Sequence, residues 1–150
     1  MFVHTNNSVV DKSDSKYCSC LYFSANALAR VMTRMGDEIF AKVGLSSSYA
    51  ILLMTVSEHA GIQPKAICQQ MQLTPSTVTR LIEKMEHRGL LERRRVGRTT
   101  EVYPTEACLA LQPQIKAAWA ELNERHTQIL GESFSRELTA NIYEAAKQLD

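Results

Sequence analysis

LTPSTVTRLIEKMEHRGLLERRR, residues 73–95, decides how the chain is read. It opens on hydroxyl side chains around Pro75, passes through an amphipathic segment, stops at Gly89 and closes on three consecutive arginines. Thr74 suits the N-cap of a helix and Pro75 its first position, where the missing N–H has no partner to lose and φ is already helical. Val78, Leu81, Ile82 and Met85 recur at three and four and form one apolar stripe, and Gly89 supplies the left-handed residue on which helices end. At about 100° per residue the other side is left with Ser76, Thr77, Thr79, Arg80, Glu83, Lys84 and His87.

The neighbouring residues extend the pattern. Pro64 fits the first position of a short helix, PKAICQQM, with Ile67 and Met71 turned inward, and the turn Gln72-Leu73 joins it to the helix just described. Helix, tight turn, helix is the arrangement of a helix-turn-helix. Before it, Ser46 is placed to cap YAILLMTVSEH, a segment apolar nearly all round and therefore buried on most sides, which Gly61 stops. After it, residues 90–94 and 99–103 are β-prone, joined by a tip at Val96-Gly97 and closed by Pro104. That hairpin brings Arg93, Arg94, Arg95 and Arg98 beside the helix, which makes the whole a winged helix-turn-helix over residues 46–104.

Two long helical patterns flank this unit. From Lys16 to Gly44 apolar residues recur at three and four, predicting one long helix. Thr105 is placed to cap a fifth helix in which Leu109, Ile115, Trp119, Leu122, His126 and Ile129 share a face, with Pro113 kinking or restarting it. Ser135 is read as the cap of a last helix carrying Leu138, Ile142, Ala146 and Leu149. Residues 1–15 are polar and patternless and read as a loose arm. The fold class expected is mainly α with a small β-hairpin wing. Residues 16–150 form a single domain in this reading, with 16–45 and 105–150 as dimerisation helices, because those helices carry more apolar face than the small winged unit covers.

Composition supports a globular chain: 45% of its 150 residues are hydrophobic and 22% charged, which excludes wholesale disorder. Net charge is only +1, yet from Arg80 to Arg98 there are seven basic residues against three acidic ones. Clustered positive charge beside a hydroxyl-rich helix start points to double-stranded DNA as partner, with hydroxyls and the positive helix end meeting base edges or phosphates. No apolar run approaches membrane-spanning length and no secretory signal is visible, so the expected location is cytoplasmic, with no membrane partner. The four cysteines, Cys18, Cys20, Cys68 and Cys108, offer no C-x-x-C pair, and neither a metal site nor a cofactor is expected.

The residues GLSSSYAILLMTVSEHAG, PKAICQQMQLTPSTVTRLIEKMEHRGLLERRR and Thr105-Glu106 together resemble the MarR-type transcriptional regulators, over about residues 17–149. The resemblance implies a homodimer held by its first and last helices, binding a pseudo-palindromic operator and usually repressing. By position, Ser76, Thr77, Thr79 and Arg80 would face the major groove, Lys84 the backbone, and Arg98 would be the wing arginine entering the minor groove. The chain departs from the family's pattern at Val96, where an aspartate is usual, and in a shorter wing loop.

Two inputs are candidates for such a regulator. CSCLYFSANAL resembles the family's organic-hydroperoxide-sensing branch, with Cys18 as reactive thiol and Tyr22 one helical turn later to hold it; a second tyrosine usual in that branch is absent here. Cys20 or Cys108 would be the resolving thiol. The other input is a small phenolic or lipophilic effector in a pocket to which Tyr22, Met54, His59 and Trp119 are suited. The chain is not expected to be an enzyme. The competing readings are a thiol-based peroxidase built on Cys18, which lacks a neighbouring activating cation, and a winged-helix protein-interaction module, which has no use for four arginines in one hairpin.

Overall fold

The connections that the sequence marks at Gly44, Gly61, Pro64, Pro75, Gly89 and Pro104 are all found near those residues. A computed structural model describes residues 15–150; of the arm expected over 1–15, only Ser15 lies inside the described residues. The order is α1 (Leu21–Phe40), a 3-10 turn (Ala41–Val43), α2 (Ser47–Glu58), α3 (Pro64–Met71), α4 (Pro75–His87), β1 (Leu91–Val96), β2 (Thr99–Pro104), α5 (Glu106–Leu130) and α6 (Glu132–Leu149). This is the mainly helical fold with a two-stranded antiparallel hairpin that the sequence predicts. The chain divides into two units, one ending at Arg34 and one running from Met35 to Asp150.

In the first unit the helix begins later than predicted. Residues 16–19 form a turn, in which the Cys18 N–H donates to the Ser15 carbonyl (3.0 Å) and the Cys20 N–H to that of Tyr17 (2.8 Å). The Ser24 hydroxyl donates to the Cys18 carbonyl (3.1 Å), and the rings of Tyr17 and Phe23 lie 5.7 Å apart.

The second unit holds the core. Leu52, Leu53 and Val56 of α2 are fully buried with Phe40, Ile67, Ile82, Val102 and Ile115, so the nearly uniform apolarity of α2 is explained by burial on most sides. Its N-terminus is capped by a residue that no local pattern shows. Ser46 occupies the N-cap position without a side-chain cap bond; instead the Asp37 carboxylate accepts from both the backbone N–H (2.9 Å) and the hydroxyl (2.7 Å) of Ser47. A carboxylate at a helix N-terminus meets free N–H groups and the positive end of the dipole together.

Three further expectations are corrected. Of the two outcomes expected at Pro113, a kink or a restart, the restart is not found: α5 runs on through it as one helix. Its buried side is Cys108, Gln112, Ile115, Ala118 and Leu122, whereas Leu109 (51% exposed) and Ile129 (68%) lie away from it; the apolar count overstated the face because it treats every apolar residue as core. Ser135 is not a cap, since Gly131 holds that position and Ser135 is buried inside α6, its hydroxyl 3.0 Å from Nδ1 of His126. The Thr105 cap is found as predicted, accepting from the Cys108 N–H (3.3 Å).

Candidate nucleic-acid interface

Helix α4 starts with Pro75 at its first turn behind an extended Thr74 (φ −69°, ψ 152°). The Thr74 hydroxyl makes no backbone cap bond; it pairs with the hydroxyls of Thr77 (2.9 Å) and Ser76 (3.3 Å), so three hydroxyls cluster at the helix start. No acidic residue stands in that first turn, which leaves the positive helix end uncompensated. Val78, Ile82 and Met85 are buried and Leu81 half-buried, as the stripe predicts. Ser76, Thr79, Arg80, Lys84 and His87 are exposed, and Thr77 is half-buried. The Thr79 hydroxyl donates to the Pro75 carbonyl (2.9 Å), so it meets an outside partner only as an acceptor. The Lys84 ammonium stands 5.9 Å from the centre of the Tyr49 ring.

The helix ends in a Schellman arrangement: Gly89 has φ +73° and its N–H donates to the Glu86 carbonyl (2.8 Å), while the Leu90 N–H donates to that of Met85 (2.9 Å). The hairpin starts immediately after. Its pairing runs from Leu91 opposite Pro104 to Val96 opposite Thr99, which puts the tip at Gly97-Arg98, one residue later than the sequence suggests. Gly97 has φ +61° at the first loop position, where tight hairpin turns need a positive φ. A second, short pairing was missed: Ile62 bridges Val102 by bonds of 3.0 Å from the Val102 N–H and 2.9 Å from the Gly61 N–H.

The four wing arginines are all exposed but differ in company. Residues directly opposite share a face, so Arg93 and Arg95 lie with Val102 and Thr100, and Arg94 lies with Glu101. Arg93 is ion-paired to Glu86 of α4 (2.7 Å). Arg94 is ion-paired to Glu92, and its guanidinium lies over the Tyr103 ring at 4.3 Å. The Tyr103 hydroxyl donates to Glu101 (2.6 Å); that bond, then desolvation and the Glu101 charge, raise its pKa above the ordinary value, against the opposing charge of Arg94. Among the described residues Arg95 and Arg98 have no ion-pair partner, nor do Arg80 and Lys84. The sequence reading missed Glu86, Glu92 and Glu101: Glu86 reaches Arg93 from another element, and Glu101 meets Arg94 only through the strand register.

Cys18 and Tyr22, read as a sensing pair, are not brought together. Cys18 lies in the turn before α1, not on the helix with Tyr22, and among the described residues no hydrogen bond joins the two; Tyr22 is 80% exposed. Cys20 is exposed in the same turn, whereas Cys108 is buried, its sulfur 3.5 Å from both the Ser57 hydroxyl and Nε2 of Gln112. Met54 and Trp119 are half-buried, Trp119 against Phe40 at 6.3 Å, and His59 is exposed at the end of α2. Among the described residues, an open cavity of about 820 Å³ lies between the α3–α4 turn and the end of α6, and another of about 600 Å³ lies along α5 and α6. Met54, His59 and Trp119 line neither; Cys68, Leu73 and Tyr143 are among those that line the first. Among the described residues no group of three His, Cys, Asp or Glu side chains is placed to hold a metal ion.

An exposed hydroxyl-started helix followed without slack by an arginine hairpin is a winged helix-turn-helix, and comparison with known proteins agrees. Residues 43–99 match the model of the MarR family. The MarR resemblance read from the sequence therefore holds over this segment. An organic hydroperoxide resistance transcriptional regulator of Bacillus subtilis (strain 168) is 27% identical over 84 residues, 56% of this chain; the match spans about half of that protein, 54%. The PcaV transcriptional regulator of Streptomyces coelicolor, solved with its natural ligand, superposes with a TM-score of 0.79 at 15% identity, covering 92% of this chain and 99% of that one. MepR of S. aureus, solved as a DNA complex, superposes with a TM-score of 0.75 at 16% identity, covering 85% and 97%. At these identities the two structures establish the fold alone.

Proposed function

We propose that the chain is a sequence-specific, double-stranded-DNA-binding transcriptional regulator, acting as a homodimer in the cytoplasm on a pseudo-palindromic operator and repressing from it. The observation that carries the reading is the coincidence, on one MarR-type winged unit, of the exposed Ser76, Thr79, Arg80 and Lys84 of α4 with the unpaired Arg95 and Arg98 of the wing. Helix α4 supplies major-groove contacts through its hydroxyls and Arg80, Lys84 neutralises backbone phosphate, and Arg98 at the tip reaches the minor groove. Two-fold symmetry places a second such helix roughly 34–36 Å away, one turn of the duplex. The reading assigns no catalytic step to the chain.

The test is a titration across salt. Arg80, Lys84, Arg95 and Arg98 make eight cations in a dimer, so log K for duplex DNA should fall with log salt at a slope approaching about −7. A flat response, or equal affinity for random duplex and for fragments selected from genomic DNA, ends this reading. Release from DNA is proposed to follow a small phenolic or lipophilic effector or oxidation of Cys18. The Bacillus subtilis relative, a hydroperoxide resistance regulator, and the exposure of Cys18 support the oxidative route; loss of binding on organic hydroperoxide treatment that persists unchanged in Cys18→Ser would remove it.

A further inference from the structure

Glu86 holds Arg93 twice. The Arg93 backbone N–H donates to Glu86 Oε1 (2.9 Å), and Nη2 of the same arginine lies 2.7 Å from Oε2. One carboxylate of α4 thus fixes both the main chain and the side chain of a β1 residue. The Glu86 side chain is 24% exposed and that of Arg93 37%, so the pair is partly sheltered from water, where charge-assisted bonds are strongest. The connection between them is short and fully bonded, through the Gly89 and Leu90 N–H groups and through the Thr105 hydroxyl, which donates to the Gly89 carbonyl (2.7 Å).

We propose that Arg93 is a positioning residue: with Glu86 it forms a strut that sets the angle of the wing against α4, and the hairpin arginines presented to DNA are Arg95 and Arg98. This rests on the DNA-binding reading above. An arginine already neutralised by a carboxylate displaces no counterion from DNA, so its contribution lies in geometry and not in charge.

Glu86→Gln separates the two roles by sign. Glutamine keeps an acceptor for the Arg93 N–H but frees the guanidinium and removes an anion next to the duplex. If Arg93 contacts phosphate, affinity rises and the salt slope steepens. If it is a strut, affinity for a fragment selected from genomic DNA falls about tenfold, as for loss of one charged hydrogen bond, with the slope unchanged and binding to random duplex little altered. Arg93→Gln should likewise leave the slope in place, whereas Arg98→Gln should flatten it by about 0.9 per subunit. Arg93→Lys, still able to pair with Glu86, should recover affinity to within about threefold. Tighter binding by Glu86→Gln, or a flatter slope in Arg93→Gln, overturns the strut. Hydrogen exchange without DNA keeps the question separate from DNA binding itself: hairpin amides should exchange faster in both Gln variants while those of α2 and α5 stay protected, and unchanged hairpin protection overturns the strut even if the wild type binds no DNA.

Discussion

At the scale of single residues, Gly36 shows how a close approach reverses an ordinary preference. Alanine is better than glycine in a helix by about 1 kcal/mol, yet a Cβ at Gly36 would stand 2.6 Å from the Ser47 hydroxyl oxygen. That hydroxyl donates to Asp37, the residue that caps α2, and cannot withdraw without losing that bond. Gly36→Ala should therefore destabilise the fold by about 1–3 kcal/mol, read as a lower urea midpoint. Gln112 presents the opposite case. Its Oε1 is buried without a partner among the described residues, and its Nε2 makes only contacts of 3.4–3.5 Å to Leu53 and Cys108. An unsatisfied buried acceptor costs about 1–3 kcal/mol, so Gln112→Met, similar in length and able to fill the space, should leave stability unchanged or raise the melting temperature.

At the scale of elements, the wing carries a titration signature. The neutral Tyr103 phenol donates to Glu101, so its pKa in the fold is raised. The stabilisation is fully present below the ordinary tyrosine value near ~10 and is lost as pH rises through the higher folded value. Phenolate absorbance should show a late-titrating component that disappears in Tyr103→Phe and moves earlier in Glu101→Gln; an unchanged curve in both would refute the bond. The helices of the winged unit were legible in the sequence because their boundaries are set by local chemistry: Pro64, Pro75 and Gly89 each act on their own turn. What was not legible came from elsewhere in the chain. The cap of α2 arrives from Asp37, an isolated bridge joins Ile62 to Val102, and Arg93 and Arg94 find carboxylates that local pattern does not assign to them. The helical spacing expected between Cys18 and Tyr22 is corrected for a simpler reason: extending the helical period back to Lys16 put Cys18 on a helix that begins at Leu21.

At the scale of the molecule, α6 is an 18-residue helix whose one buried residue is Ser135, while Phe134, Ile142, Tyr143 and Leu149 are exposed. Helices owe most of their stability to a covered apolar face, and this one lacks it in a single chain. The proposed homodimer supplies the cover, so sedimentation should give twice the chain mass. Ile142→Asp combined with Leu149→Asp should shift the protein to monomer and weaken operator binding by much more than tenfold, since paired half-sites add their contacts; a variant that stays dimeric would relocate the interface. The hairpin, by contrast, is closed at its root by bonds within one chain. Thr105 sews that root shut, its N–H donating to the Leu90 carbonyl (3.1 Å) and its hydroxyl to that of Gly89, while the far end is only Gly97-Arg98. Closing a longer loop adds little entropic cost. The wing is in effect a probe of adjustable length: residues spliced between Val96 and Thr99 would extend its reach along the duplex while every other part of the protein keeps its packing.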